Sequence, residues 1–186
     1  HEYGGGGWLP TDHGILLSRF EDQRLWLLGD DLHPITPEPS SPKSQRFADG
    51  TRVAGSDHTI WVVESHQQRG VEPQNFLATV TLDGSVTEIA SGADFYSSPT
   101  TSADGETLAY LSWDHPSMPW DHVRLHVAHR SNNGWTGHRV VLDGPALQQP
   151  SFSPDGRLHV ISDATGWWNI HEVDTAAGRS QPIVEA

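Results

Sequence analysis

Short apolar runs recur along this chain between turn signals, and their period is two residues rather than the 3.6 of a helix. Thr107 to Trp113 (TLAYLSW) is a compact run rich in β-formers, the pattern of a strand covered on both faces. Val123, Leu125 and Val127 then alternate with Arg124 and His126, which predicts a strand with one dry face. Before the first run lies a turn centred on Ala103-Asp104-Gly105. Between the two runs lies a loop with Pro116 and Pro119, neither of which suits a central strand. The 97–128 stretch thus reads as strand, turn, strand, loop, strand.

The same order returns three more times. Ser153-Pro154-Asp155-Gly156 precedes 157–162 and 168–173, Ser56-Asp57-His58 precedes 59–64 and 76–80, and Thr11-Asp12-His13-Gly14 precedes 15–18 and 25–28. The aspartates of these turns, Asp12, Asp57, Asp104 and Asp155, are spaced by 45, 47 and 51 residues. A repeat of that length built only from short strands is a propeller blade, not a solenoid turn or a helical hairpin. The expected fold is therefore all-β, with about four blades of four antiparallel strands at approximately 1–42, 43–91, 92–145 and 146–186. No stretch shows an amphipathic helical pattern. The opening HEYGGGGW (residues 1–8) is read as a turn into the first strand, with a close backbone approach to a neighbour or ligand as the other reading.

Composition narrows the partners. Eleven Lys and Arg against 24 Asp and Glu give a net charge of −13 among 186 residues, which disfavours nucleic acid and anionic membrane. Cysteine is absent, so disulfides and thiolate metal sites are excluded. No apolar run has the length of a membrane span and no signal peptide is visible, which makes a cytoplasmic location the expectation. The chain begins on His1 and has a single methionine, Met118, so it is expected to be a fragment.

The richest chemistry lies in the loop from Trp113 to His122, which contains Trp-Asp-His twice. Trp113, Asp114, His115, Trp120 and Asp121 are its candidate site residues: indoles offer large area to desolvate, and carboxylates pair with amines. The competing reading packs the tryptophans between blades and gives the aspartates to turns. Gly166-Trp167-Trp168-Asn169 occupies the corresponding loop of the fourth repeat, where packing between blades is the expectation. His122, His126 and His129 would share a face only on a helix, so no metal site is expected, nor any cofactor. No G-x-S-x-G elbow occurs, and no catalytic residue is assigned. The Asp-Gly turns also lack the spacing of the sialidase Asp-box.

HEYGGGGW at 1–8, RFADG at 46–50, SGADFYSSP at 91–99, LSWDHPSMPWD at 111–121 and FSPDGRLHVISDATGWWNI at 152–170 resemble the propeller of prolyl oligopeptidase-type (S9) serine peptidases. The similarity is to the dipeptidyl-aminopeptidase and acylaminoacyl-peptidase branch and covers nearly the whole chain. It implies a piece of a seven- or eight-bladed ring that caps a C-terminal α/β-hydrolase domain and admits only short peptides. The Ser, Asp and His of that family lie in the hydrolase, so none is placed on this sequence. Relatives that hold a substrate amino terminus use a Glu-Glu pair, which is missing here. Ser56-Asp57-His58 and Ser102-Ala103-Asp104-Gly105 depart from the family's Ser-Pro-Asp-Gly. The expected role is a non-catalytic gate whose partners are its own hydrolase domain and short peptides. The alternative is a stand-alone interaction propeller of the TolB or WD-repeat kind; a propeller glycosidase ranks below both.

Overall fold

The computed structural model describes residues 6–66, 70–144 and 146–184. Part of the glycine-rich opening, residues 1–5, lies outside them. The described chain is built from sixteen strands arranged as four antiparallel sheets of four, each a simple meander in chain order. It forms two compact units, 1–92 and 93–186.

The first unit holds two sheets. One comprises β1 (Trp8–Thr11), β2 (Gly14–Ser18), β3 (Leu25–Leu28) and β4 (Leu32–Pro34); the other comprises β5 (Gln45–Arg52), β6 (Thr59–Ser65), β7 (Gln74–Val80) and β8 (Val86–Ala90). Leu16, Leu25 and Leu27 pack against Phe47, Trp61, Val63 and Val80, so the facing sides of the two sheets make one core. β6 is buried along its whole length, and for that reason its sequence, TIWVVES, is a nearly continuous apolar run. Trp61 is fully enclosed, with its indole N–H given to Thr59 Oγ1 at 2.9 Å and the Thr59 hydroxyl to the Val80 carbonyl at 3.1 Å. A side chain on Gly50 would meet that indole at 2.6 Å, which is why the innermost strand carries glycine there.

The second unit repeats the plan with β9 (Phe95–Thr101), β10 (Thr107–Trp113), β11 (Val123–Ser131) and β12 (Gly134–Gly144), then β13 (Leu147–Phe152), β14 (Leu158–Ser162), β15 (Asn169–Asp174) and β16 (Arg179–Pro182). Ala109, Leu111, Val123, Leu125 and Val127 form its core with Leu147, Leu158, Val160 and Val173. The alternation along β11 falls as its sequence requires, with Val123, Leu125 and Val127 on the dry side.

Two features of the hairpins differ from the sequence pattern. In the third and fourth sheets the turn aspartate works within its own turn. The Ser102 hydroxyl bonds Asp104, whose carboxylate accepts the Glu106 N–H at 3.0 Å, while the Ser102 oxygen accepts the Thr107 N–H at 2.9 Å. Ser153, Asp155 and Arg157 build a closely similar turn. Gly105 and Gly156 supply the positive φ, at 72° and 84°. Asp12 and Asp57 do something else: Asp12 pairs with Arg52 at 2.6 Å and Asp57 with His13 at 2.8 Å, tying the hairpin of the first sheet to that of the second. The four aspartates are near one another in register, but they are not equivalent in bonding. The second feature is a register shift in the innermost strand of the last three sheets, beside Asp49, Ser98 and Gln149, each with φ near +50°.

Candidate functional site

The 114–122 loop grows out of β10 at Trp113 and returns the chain to β11 at Val123. Trp113 is only 3% exposed and stacks on Phe95 at the start of β9, ring centroids 5.3 Å apart. His115 lies over the same Phe95 ring at 4.9 Å. Asp94 and Asp114 cross-tie the two strands. The Asp94 carboxylate accepts the His115 N–H at 2.9 Å, and Asp114 accepts the Asp94 N–H at 2.8 Å. Asp114 also pairs with Arg124 from β11. Burial works to raise the Asp114 pKa, but the Asp94 N–H and the Arg124 guanidinium outweigh it and hold the carboxyl below its usual range.

The second half of the loop is separate from this cluster. Asp121 accepts the Met118 N–H at 3.0 Å and gives its own N–H to the Met118 carbonyl at 2.9 Å, closing a turn around Pro119 and Trp120. Trp120 stands at the tip of that turn, 56% exposed. The structure therefore brings Trp113, Asp114 and His115 together with Asp94, Phe95 and Arg124, and leaves Trp120 and Asp121 outside the group. The two tryptophans of one loop have opposite environments. In the fourth sheet the corresponding loop carries Trp167 at 74% exposure and Trp168 at 51%, so neither is enclosed by its own sheet.

On the face of the third sheet turned away from its core lies a network that the sequence did not single out. Ser112 Oγ and His126 Nε2 are 2.7 Å apart, the Tyr110 and His126 rings stack at 4.6 Å, and Tyr110 bonds His138 Nδ1 at 3.1 Å. Burial, aided by the Arg124 charge, pushes His126 down to about 4, and burial lowers His138 as well. Tyr110 is raised by the same loss of solvent. Ser112 is buried, while His126 keeps part of its surface exposed. The period-two alternation was the available signal, since Tyr110 and Ser112 share one side of β10. His122 pairs instead with Asp143 at 3.2 Å, and His129 is exposed, so the three histidines of this segment point to separate surroundings.

Neither a family model nor a curated protein matches the chain. Solved structures do. Puromycin hydrolase is 32% identical over 99% of this chain with a TM-score of 0.88, and a puromycin-hydrolyzing peptidase from Mycobacterium tuberculosis is 33% identical over 100% with a TM-score of 0.88. TolB from Acinetobacter baumannii, at 18% identity over 94% of the chain and a TM-score of 0.60, shares the fold; the chain covers 42% of its length. The chain spans 31% of the puromycin hydrolase and 32% of the mycobacterial peptidase. On that evidence the chain matches a segment of the β-propeller of prolyl oligopeptidase-type (S9) serine peptidases.

Proposed function

We propose that this chain is a non-catalytic gate: part of a propeller that restricts which peptides reach a C-terminal hydrolase domain in the same polypeptide. One observation carries the reading. The whole chain is similar to peptidases at 32% identity while spanning 31% of their length, and it contains no G-x-S-x-G elbow. The chemistry of such a peptidase then belongs to the other two-thirds of the polypeptide, and the propeller contributes shape. A closed propeller of the kind the resemblance implies would pass short or extended peptides and exclude folded chains.

The test is a substrate-length series on the full-length gene product. Specificity, measured as kcat/KM for peptides sharing one cleavage site, is expected to fall by about tenfold or more between short peptides and those of domain size. A flat profile overturns the gate. A gene product with further repeats and no nucleophile elbow overturns the peptidase itself and leaves an interaction propeller of the TolB kind.

A further inference from the structure

Asparagine stands at four positions of the chain, 75, 132, 133 and 169, and only Asn133 is followed by glycine. The side-chain amide of an asparagine is an electrophile beside a nucleophile, the backbone nitrogen of the next residue. Two things keep them apart: a bulky side chain on that next residue, and a backbone held in a ladder. Asn75 and Asn169 have both, since they precede Phe76 and Ile170 and lie on β7 and β15. Asn169 is fastened further, with Nδ2 donating to the Val184 carbonyl at 2.6 Å and Oδ1 accepting the Ile170 N–H at 2.8 Å. Asn133 has neither protection. With Asn132 it makes the two-residue turn between β11 and β12, and Ser131 to Gly134 are all exposed. Gly134 sits at φ 104°, and a Cβ placed on it would meet nothing within 4 Å. Without a side chain its nitrogen is open to approach and its backbone turns freely. The Ser131 hydroxyl ties the tip, donating to the Gly134 carbonyl at 2.9 Å and accepting the Asn133 N–H at 3.3 Å. Among the described residues, nothing bonds the Asn133 side-chain amide.

We propose that Asn133-Gly134 is a self-modification site, at which the asparagine deamidates in the folded protein. The Gly134 nitrogen attacks Asn133 Cγ and forms a new C–N bond. The Cγ–Nδ2 bond breaks, and the side-chain nitrogen leaves as ammonia with the proton that the Gly134 nitrogen gives up. The product is a cyclic imide, which water then opens at either carbonyl. Opening at Cγ leaves an ordinary aspartate. Opening at the backbone carbonyl leaves isoaspartate, whose chain runs on through the former side chain. Water is the only co-reactant, and nothing is oxidised or reduced. Either product adds a negative charge to a chain already at −13, and isoaspartate lengthens the turn by a backbone carbon. The turn concerned joins the two longest described strands, β11 of nine residues and β12 of eleven, so the change falls on the outer hairpin of the third sheet.

Peptide mapping by mass spectrometry tests this on the full-length protein, incubated at neutral pH both folded and in denaturant. Exposed hairpin tips open at little cost, so conversion of Asn133 in the folded protein is expected within about tenfold of its rate in the unfolded chain. In the same folded sample Asn133 should convert about tenfold or more faster than Asn75, Asn132 or Asn169. Labelling with an isoaspartyl methyltransferase should mark the peptide that carries residue 133. Asn133→Gln, whose longer side chain closes only to a larger ring, should lose that label, and unchanged hydrogen-exchange protection of Leu108 to Leu111 verifies that the variant is folded. Suppression by more than about tenfold on folding overturns the proposal, because the hairpin then shields its own tip. Equal conversion at all four asparagines overturns it as well, and so does a label that survives Asn133→Gln.

Discussion

Trp61 sets the tolerance of the first unit at the scale of single residues. Its ring fills the space that any side chain on Gly50 would enter, and the strand that carries it, β6, is held by ladders on both sides. Gly50→Ala is therefore expected to destabilise the full-length protein by about 1–3 kcal/mol, through overpacking rather than lost contacts. Denaturant midpoints, with the slope checked for constancy, measure it, and a neutral result would mean that the indole moves freely. The sequence could mark Gly50 only as part of a strand-opening segment, RFADG, because the partner that forbids a side chain lies eleven residues on, across a ladder. Asp12 and Asp57 show the same limit. Their spacing marked a repeat correctly, but spacing does not say whether a carboxylate folds back on its own turn or reaches a neighbour.

The 114–122 loop shows how one element divides its labour. Trp113 ends a strand and is enclosed against Phe95, whereas Trp120 crowns a turn and meets solvent. Trp113→Ala should cost about 3–5 kcal/mol of stability, as truncation of a buried indole does. Trp120→Ala should stay within about 0.5 kcal/mol wherever its ring is not covered by another domain. Paired denaturation curves decide it, and equal effects would erase the distinction drawn here. Aromatic richness and the turn around Pro119 were visible in the sequence. Which tryptophan is inside was not, because the register of β10 against β9 decides it and Asp94 and Phe95 gave no separate signal.

For the molecule as a whole, the histidines set the response to acid. His126 titrates at about 4 in the folded chain against 6.5 when free, and His138 and His171 are shifted in the same direction by burial. The unfolded chain thus binds more protons in this range, and stability present above pH 6.5 is lost as pH falls from there toward 4. The carboxylates held low by turn hydrogen bonds, Asp104 and Asp155, act only below about pH 3.8 and leave that window to the histidines. Denaturant midpoints at pH 7.5 and 5 should therefore fall with acid, and His126→Gln should flatten the fall. An unaltered slope in that variant would place the proton uptake elsewhere. The all-β class and the four-strand repeat were legible at this scale because they rest on periodicity, which survives every local exception.

The crossed pairs between the first two hairpins, Asp12 with Arg52 and His13 with Asp57, bear on how such a chain can be rearranged. Repeated sheets look like interchangeable units, ready for duplication or shuffling. Here each hairpin carries half of a lock whose other half is on its neighbour. A copy of the third sheet's Ser102-Ala103-Asp104-Gly105 turn put in place of Ser56-Asp57-His58 would bring its own closure and leave His13 beside an aspartate that faces inward to its own serine. The first two sheets are thereby ordered relative to each other by charge, and the addresses are written in the turns rather than in the strands.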